Sequence, residues 1–174
     1  MLRKNILRFL EGGDRTSIGR ADQVAAFISK NPRMFPKLIA GLWSDDPVVR
    51  MRAADATEKV TRKNREVLRS YTRALLGLMA ETAEAELRWH LAAIVPRLPL
   101  KAKDRQLAVS LLRGYLEDGS SIVKTFALQG LADLAQDDSD LQPEVLEMVR
   151  EAGRSGTPAM KARSRKLLAH LEDA

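Results

Sequence analysis

The chain has 174 residues, of which 45% are hydrophobic and 30% charged, with a formal net charge of +6 and no cysteine. This balance is typical of a globular protein, and the lack of cysteine excludes disulfides, thiolate metal sites and cysteine nucleophiles. The longest apolar runs are far shorter than the roughly 20 residues of a membrane span, and the amino terminus lacks a secretory signal. We therefore expect a cytoplasmic protein with a single domain over residues 1–174 and no membrane contact.

Apolar residues recur at helical spacing along the chain, and prolines mark where several helices begin. Asn31-Pro32, Asp46-Pro47 and Thr157-Pro158 each place a capping side chain before a proline, whose missing amide hydrogen costs nothing at the first helical position. Pro36 and Pro96 fall within helical patterns and should kink or shorten them. Ten helices, or five helix pairs, are predicted at about residues 2–11, 21–30, 32–44, 47–62, 65–81, 84–98, 104–117, 121–136, 143–153 and 158–172.

A hydrophobic residue followed by a base recurs at nearly constant spacing in these helices. The steps between successive copies are 38, 36 and 37 residues. A period of this length, in which each unit holds two helices, is typical of an α-solenoid. The four copies are Val49-Arg50, Leu87-Arg88, Val123-Lys124 and Met160-Lys161.

The same register extends along one face of the second helix of each unit. The residues 4, 7, 8 and 11 positions after each hydrophobic member are predominantly apolar, as in an amphipathic helix that buries one side. We therefore predict that these faces form the core of the repeats. The four sets are Val49, Ala53, Ala56, Thr57 and Val60; Leu87, Leu91, Ile94, Val95 and Leu98; Val123, Ala127, Gly130, Leu131 and Leu134; and Met160, Ser164, Leu167, Leu168 and Leu171.

One stretch of the repeat resembles a known family. Residues 38–54, which read LIAGLWSDDPVVRMRAA, resemble the most recognisable part of a HEAT repeat: the end of its first helix, an Asp-Pro turn, and a second helix that opens with Val-Arg and paired alanines. The resemblance covers about residues 32–174 and implies an all-α fold, a right-handed α–α superhelix of about five helix pairs. Residues 1–31 are interpreted as a degenerate amino-terminal cap, which closes the apolar end of a solenoid.

In the HEAT family, a turn aspartate commonly bonds the basic residue of neighbouring second helices, so the resemblance implies a bracing role for the repeated bases. Acidic residues stand in the matching turns of Arg50 and Lys124, where Asp118 would serve the lysine. Arg88 and Lys161 have no such residue. The bracing role is favoured for Arg50, and for the other three bases bracing and ligand contact stay open.

The resemblance also implies that the second helices line a concave wall, so their outward positions are candidate binding residues. These positions come three, six and ten residues after the hydrophobic member of each dipeptide, and successive ones should lie one repeat apart. The stripe is mixed but leans basic. The candidate binding residues are Arg52, Asp55, Lys59, His90, Arg97, Phe126, Gln129, Arg163 and Lys166, and the remaining positions hold Ala93, Asp133 and His170.

No motif in the sequence indicates catalysis. A Gly-rich phosphate loop, a Gly-x-Ser-x-Gly elbow and a His-Glu-x-x-His motif are all lacking, and the only two histidines, His90 and His170, stand two repeats apart. We therefore expect no catalytic residue, metal or cofactor. Trp43 and Trp89 are predicted to pack between helices.

Two function classes follow from the fold and the charge. The leading one is a non-enzymatic scaffold that docks a protein or peptide on the concave face. The alternative is nucleic-acid binding through the amino-terminal half, because residues 1–73 carry 16 bases and 8 acids whereas residues 104–150 carry 4 bases and 9 acids. That alternative includes a HEAT-like DNA repair glycosylase, for which Trp43, Trp89 and Asp55 are loose candidates. The oligomeric state is not predicted.

Overall fold

The computed structural model describes residues 5–14 and 16–171. These residues form nine α-helices, five short 3-10 helices and no strand, so the all-α prediction is confirmed for the described part of the chain. The α-helices are α1 (Ala21–Lys30), α2 (Phe35–Ile39), α3 (Pro47–Lys63), α4 (Thr72–Glu81), α5 (Ala85–Ile94), α6 (Ala102–Tyr115), α7 (Ser121–Ala135), α8 (Gln142–Ser155) and α9 (Pro158–Leu171). The 3-10 helices are Leu7–Phe9, Pro32–Met34, Ala40–Trp43, Arg65–Leu68 and Val95–Arg97.

Six of the predicted helices match α1, α3, α6, α7, α8 and α9 closely. The helix predicted at 84–98 is α5 followed by the 3-10 helix Val95–Arg97, and the remaining three differ more from the structure. The helix predicted at 2–11 lies partly outside the described residues, and its described part contains only the short 3-10 helix Leu7–Phe9. The segment predicted as one helix at 32–44 consists of a 3-10 helix, then α2, then a second 3-10 helix. Pro36 lies in the first turn of α2. The helix predicted at 65–81 breaks at residues 69–71, so α4 begins at Thr72. Pro96 lies just after α5, as expected of a residue that lacks an amide hydrogen.

The caps explain where two of the proline-marked helices begin. The Asp46 carboxylate accepts a 2.8 Å bond from the Val48 amide, and the Thr157 hydroxyl accepts one from the Met160 amide. The prediction that the Asn31 side chain caps the helix beginning at Pro32 is wrong. Its side-chain amide instead donates to the Phe27 carbonyl and so closes the end of α1.

The contacts divide the chain into two compact units. The first comprises the described residues up to Tyr71 together with Arg97–Pro99, and the second comprises Thr72–Pro96 with the described residues from Leu100 onward. The single domain over residues 1–174 stays a prediction.

The first unit is built around α3, which packs against α1, α2 and the 3-10 helix Ala40–Trp43. Its core includes the fully buried side chains of Ile28, Phe35, Leu38 and Leu42, and the Phe35 ring meets the edge of Tyr71 at 5.7 Å between centroids. Trp43 is 47% exposed, so the prediction that it packs between helices is wrong. It closes a short 3-10 turn at the rim of the core.

In the second unit, the helices that come second in each predicted helix pair, α5, α7 and α9, pack side by side. α7 packs against α5 on one side and α9 on the other, while α6 and α8 also contact α7. The predicted core face is buried throughout α3 and α7, and also along α5 and the residues that follow it as far as Leu98. In α9, Ser164 and Leu167 are buried while Met160 and Leu168 are partly so. The Leu171 side chain lies outside the described set. Within the described residues, no helix is both long and apolar enough to cross a membrane.

Candidate functional site

The nine candidate binding residues are divided between the two units. Arg52, Asp55, Lys59 and Arg97 belong to the first unit, and the other five belong to the second. The expectation that the stripe faces solvent is wrong for three of them, since Arg52, Asp55 and His90 are buried.

Arg52 anchors the segment before α1. Its side chain is buried, and its guanidinium donates hydrogen bonds to the carbonyl oxygens of Leu10 (2.9 Å), Gly12 (2.6 Å) and Ser17 (2.9 Å), among others. Hydrogen bonds from a charged donor are stronger than neutral ones, and they hold the loop against α3. We therefore assign Arg52 a structural role in place of the ligand contact that its position predicted.

Gly19 makes this arrangement possible. Its φ of +54° lies in the left-handed region, and a Cβ there would come within 2.8 Å of Cζ of Arg52. Glycine adopts this conformation without strain and leaves room for the guanidinium.

The other three candidates of the first unit form ion pairs within it. Lys59 Nζ binds the carboxylates of Asp22 and Asp55, with a distance of 2.7 Å to the latter. Burial alone would lower the pKa of Lys59, but the hydrogen bonds that its ammonium donates to these two carboxylates raise it. Arg97 binds Glu58 at 2.6 Å and also donates to the hydroxyl of Thr61. All three candidates therefore have partners inside their own unit.

Glu58 is held between two arginines. Besides Arg97, Arg62 approaches its carboxylate to 2.6 Å from the next turn of α3. Burial would raise the pKa of Glu58, but the hydrogen bonds from Arg62 and Arg97 outweigh burial and lower it. The cluster ties Arg97 to α3 within the first unit.

The second unit brings candidate residues of three helices into one row. The Trp89 ring on α5 lies 5.0 Å from Phe126 on α7, and the Arg163 guanidinium on α9 lies 5.3 Å from the Phe126 ring, measured to ring centroids. Arg163 also donates a 2.7 Å bond to the side-chain carbonyl of Gln129. Trp89, Phe126, Gln129, Arg163 and Lys166 are called the aromatic-basic row below.

His90 packs against the tryptophan of this row. Its ring stacks on that of Trp89 with centroids 3.4 Å apart, and its Nδ1 lies 2.6 Å from the Glu86 carbonyl oxygen. Trp89 is half-buried against His90 and Phe126, which confirms the prediction that it packs between helices. His90 therefore positions the tryptophan.

A groove of about 470 Å³ opens between α7 and α9 beside the row. Its wall is apolar at Ile122 and Phe126 and at two alanines of α9, and it is basic at Arg163 and Lys166. Ile122 is 45% exposed, which is unusual for a large apolar side chain on a helix whose other face forms the core. The lining residues are Ser121, Ile122, Thr125, Phe126, Ala159, Ala162, Arg163 and Lys166.

Three of the eight groove residues, Phe126, Arg163 and Lys166, were predicted from the sequence, and most of the other five were missed for a geometric reason. Ile122, Thr125, Phe126 and Gln129 are spaced i, i+3, i+4 and i+7, and the corresponding positions of α9 carry the same spacing. The predicted stripe included only positions from the third residue after each repeated hydrophobic residue onward. The groove also uses the position one before and the position two after that hydrophobic residue, which are Ile122 and Thr125 on α7 and Ala159 and Ala162 on α9. Helical periodicity contains this signal.

The repeated bases make local and inter-helix contacts. Arg50 donates to the backbone carbonyls of Ser44 and Asp45, so it closes its own turn through carbonyls. Arg88 binds the Asp118 carboxylate at 2.5 Å, across from α5 to the turn before α7. Sequence reasoning assigned Asp118 to Lys124, but the structure shows Arg88 as its hydrogen-bonded partner.

The Asp118 side chain is only 7% exposed, although the residues on either side of it in the turn are exposed. Burial would raise the pKa of Asp118, but the Ser120 amide and Arg88 donate to its carboxylate and lower it. Nearby, Tyr115 donates a 2.6 Å bond to the Met79 carbonyl, and burial raises the pKa of its hydroxyl to about 12. These contacts fix α4, α5 and α6 beside one another and serve stability.

In the part of the chain that the structure describes, no group of three or more His, Cys, Asp or Glu residues could hold a metal ion. Comparisons of the chain with protein-family models, with curated proteins and with solved structures gave no match.

Proposed function

We propose that the chain is a HEAT-like α-solenoid that acts in the cytoplasm as a non-enzymatic scaffold, and that it docks a peptide segment of a partner protein on the aromatic-basic row. The groove between α7 and α9 carries the proposal, because Phe126, Arg163 and Lys166 line it together. The packing of α7 between α5 and α9 and the Arg88–Asp118 bond support the solenoid.

The chemistry of the groove indicates the kind of peptide. Ile122 and Phe126 offer apolar contact, and an aromatic side chain is a common anchor at binding surfaces. Arg163 has five N–H donors, of which Gln129 takes one, and Lys166 is exposed. A carboxylate can accept bonds from both bases. The expected ligand is therefore a segment in which an acidic side chain stands beside a bulky apolar one.

The nucleic-acid alternative is the weaker proposal. It relies on the basic amino-terminal half, but Arg52, Lys59 and Arg97 all bind groups of their own unit. Asp55, a loose candidate for a glycosylase, is buried and bound to Lys59. Charge that is already paired attracts a polyanion less than the formal count suggests.

Selection from a displayed random-peptide library tests the proposal. Enriched peptides should pair an acidic with a bulky apolar residue, and their binding should change Trp89 fluorescence in a Trp43→Phe background. Lys166→Glu should weaken binding about tenfold, because it reverses the charge at the groove. Lys103→Glu is the matched control, since Lys103 is exposed on α6 and lies outside the groove.

Three outcomes would contradict the proposal. The first is that no peptide is enriched, and the second is that the enriched peptides bind Lys166→Glu as well as they bind the unmodified chain. The third is strong binding of random duplex DNA, with a steep salt dependence, that Arg163→Glu removes. That result would replace the peptide with nucleic acid as the ligand.

A further inference from the structure

A second groove in the same unit has the opposite charge. It has a volume of about 430 Å³ and runs along α8, between the end of α6 and the beginning of α9. Its floor includes the half-buried side chains of Leu116, Met148 and Met160. Methionine is flexible and polarisable, so it adapts to apolar side chains of different shapes.

The rim of this groove is acidic. Glu117, Glu144, Glu147 and Glu151 all line it and are exposed, and none of the described lining residues is basic. Two arginines outside the lining reach these acids: one binds Glu144 and the other binds Glu147 and Glu151. Four carboxylates against two guanidinium groups leave an excess of negative charge.

We infer that this groove docks a basic amphipathic helix from another protein. The acids of α8 at positions 144, 147 and 151 are spaced i, i+3 and i+7, and Met148 and Ala152 lie on the same face. A partner helix presents lysines or arginines at the same spacing and can meet this row, while its apolar residues pack on the methionines. From residue 144 to residue 155 the face extends about 16 Å, or three helical turns.

The charge also decides against other occupants. A negative rim repels nucleic acid and the anionic surface of a membrane. The groove is separate from the aromatic-basic row, since the two grooves share no lining residue. The inference therefore does not depend on the function proposed for the row.

Fluorescence anisotropy with designed peptides tests the inference. The probe is a labelled 14-residue amphipathic peptide with leucines on one face and lysines flanking them, at about the length of α8. One control peptide has the same residues in shuffled order, and another replaces the lysines with glutamates. The complete chain should bind the probe at least about tenfold more tightly than either control.

Variants of the chain localise the binding. Glu147→Gln with Glu151→Gln should weaken it about tenfold, whereas Glu81→Gln with Asp137→Asn removes the same charge at exposed sites elsewhere in the unit and should leave it unchanged. Met148→Lys should abolish binding, and Leu107→Lys, at a 46% exposed leucine of α6, is its control. The melting temperature of each variant reports whether it folds, and the glutamine pair keeps the test valid if Met148→Lys does not.

Equal binding of the shuffled peptide would show simple charge attraction and overturn the inference. Equal effects of the groove variants and their controls would also overturn it. A peptide selected for the aromatic-basic row should bind the glutamine pair normally, so failure at one groove is distinguishable from failure at the other.

Discussion

The role of Arg52 depends on what surrounds its guanidinium. The residue stands three positions after Val49, at one of the positions that the helical pattern predicts to face outward. In the structure the preceding loop wraps around it, and its guanidinium donates hydrogen bonds to the backbone carbonyls of Leu10, Glu11, Gly12, Asp14 and Ser17. A buried charge needs such partners, because burial without them is costly.

Arg52→Met should therefore lower the free energy of unfolding by about 2–4 kcal/mol, since it leaves several carbonyls without their charged donor. The loop should also become easier to cleave by proteases. Urea unfolding measures the first effect and limited proteolysis the second. Lys63→Met replaces an exposed base of the same helix and should change stability by less than about 0.5 kcal/mol. Equal stability of the two variants would contradict the anchoring role.

The helix α7 owes its close contact with α5 to a glycine. A Cβ built on Gly130 would lie 2.7 Å from the Ala92 carbonyl oxygen, which belongs to the backbone of α5. Backbone cannot move aside as the end of a flexible side chain does, so the helices themselves must separate to admit a methyl group.

Gly130→Ala should lower the free energy of unfolding by about 1–3 kcal/mol through this overpacking. Gly77→Ala is the matched change, because Gly77 lies within α4 and an added Cβ would meet nothing within 4 Å. It should raise stability by about 0.5–1 kcal/mol, the usual gain of alanine over glycine in a helix. Thermal or urea unfolding compares the two variants, and a stabilised Gly130→Ala would rule out the close contact.

Elements could be predicted where periodicity and caps agree. For α3, an Asp-Pro start and an uninterrupted apolar face gave bounds within one residue of the structure. The segment 32–44 was misjudged because Pro36 and the tight approach of residues 40–43 to α3 favour 3-10 turns, and tertiary packing of this kind leaves no pattern in the sequence. The same limit applies to the candidate site, where periodicity gave Phe126 and Arg163 but could not show that a loop buries Arg52.

At the scale of the whole molecule, formal charge and available charge differ. Residues 1–73 carry twice as many bases as acids, which made a polyanion partner plausible from the sequence. The structure shows that several of those bases are already bound to carboxylates or carbonyls within their unit. Residue counts contain no information on which charges are paired. For this reason the sequence alone could not decide between a peptide-docking scaffold and a nucleic-acid-binding protein.

Several of the paired acids make stability depend on pH, and Asp118 is the most specific case. Its pKa is lowered in the folded chain, so its contribution to stability is present above its unfolded pKa, about 3.9, and is lost as the pH falls through the lower folded value. The pKa of Glu58 is also lowered in the folded chain, so its contribution to stability is likewise lost as the pH falls. We therefore expect the urea midpoint to fall as the pH is lowered from about 6 to about 3.

Asp118→Asn should begin with a lower midpoint at about pH 6, because Arg88 loses its charged partner, and should lose less of it on acidification. Trp89 fluorescence in a Trp43→Phe background follows this in the second unit, which contains both Trp89 and Asp118. Asp137→Asn is the control, since Asp137 is exposed and should leave the pH dependence of the midpoint as it is. If Asp118→Asn and the unmodified chain lose stability in parallel, the Arg88–Asp118 ion pair does not contribute to acid sensitivity.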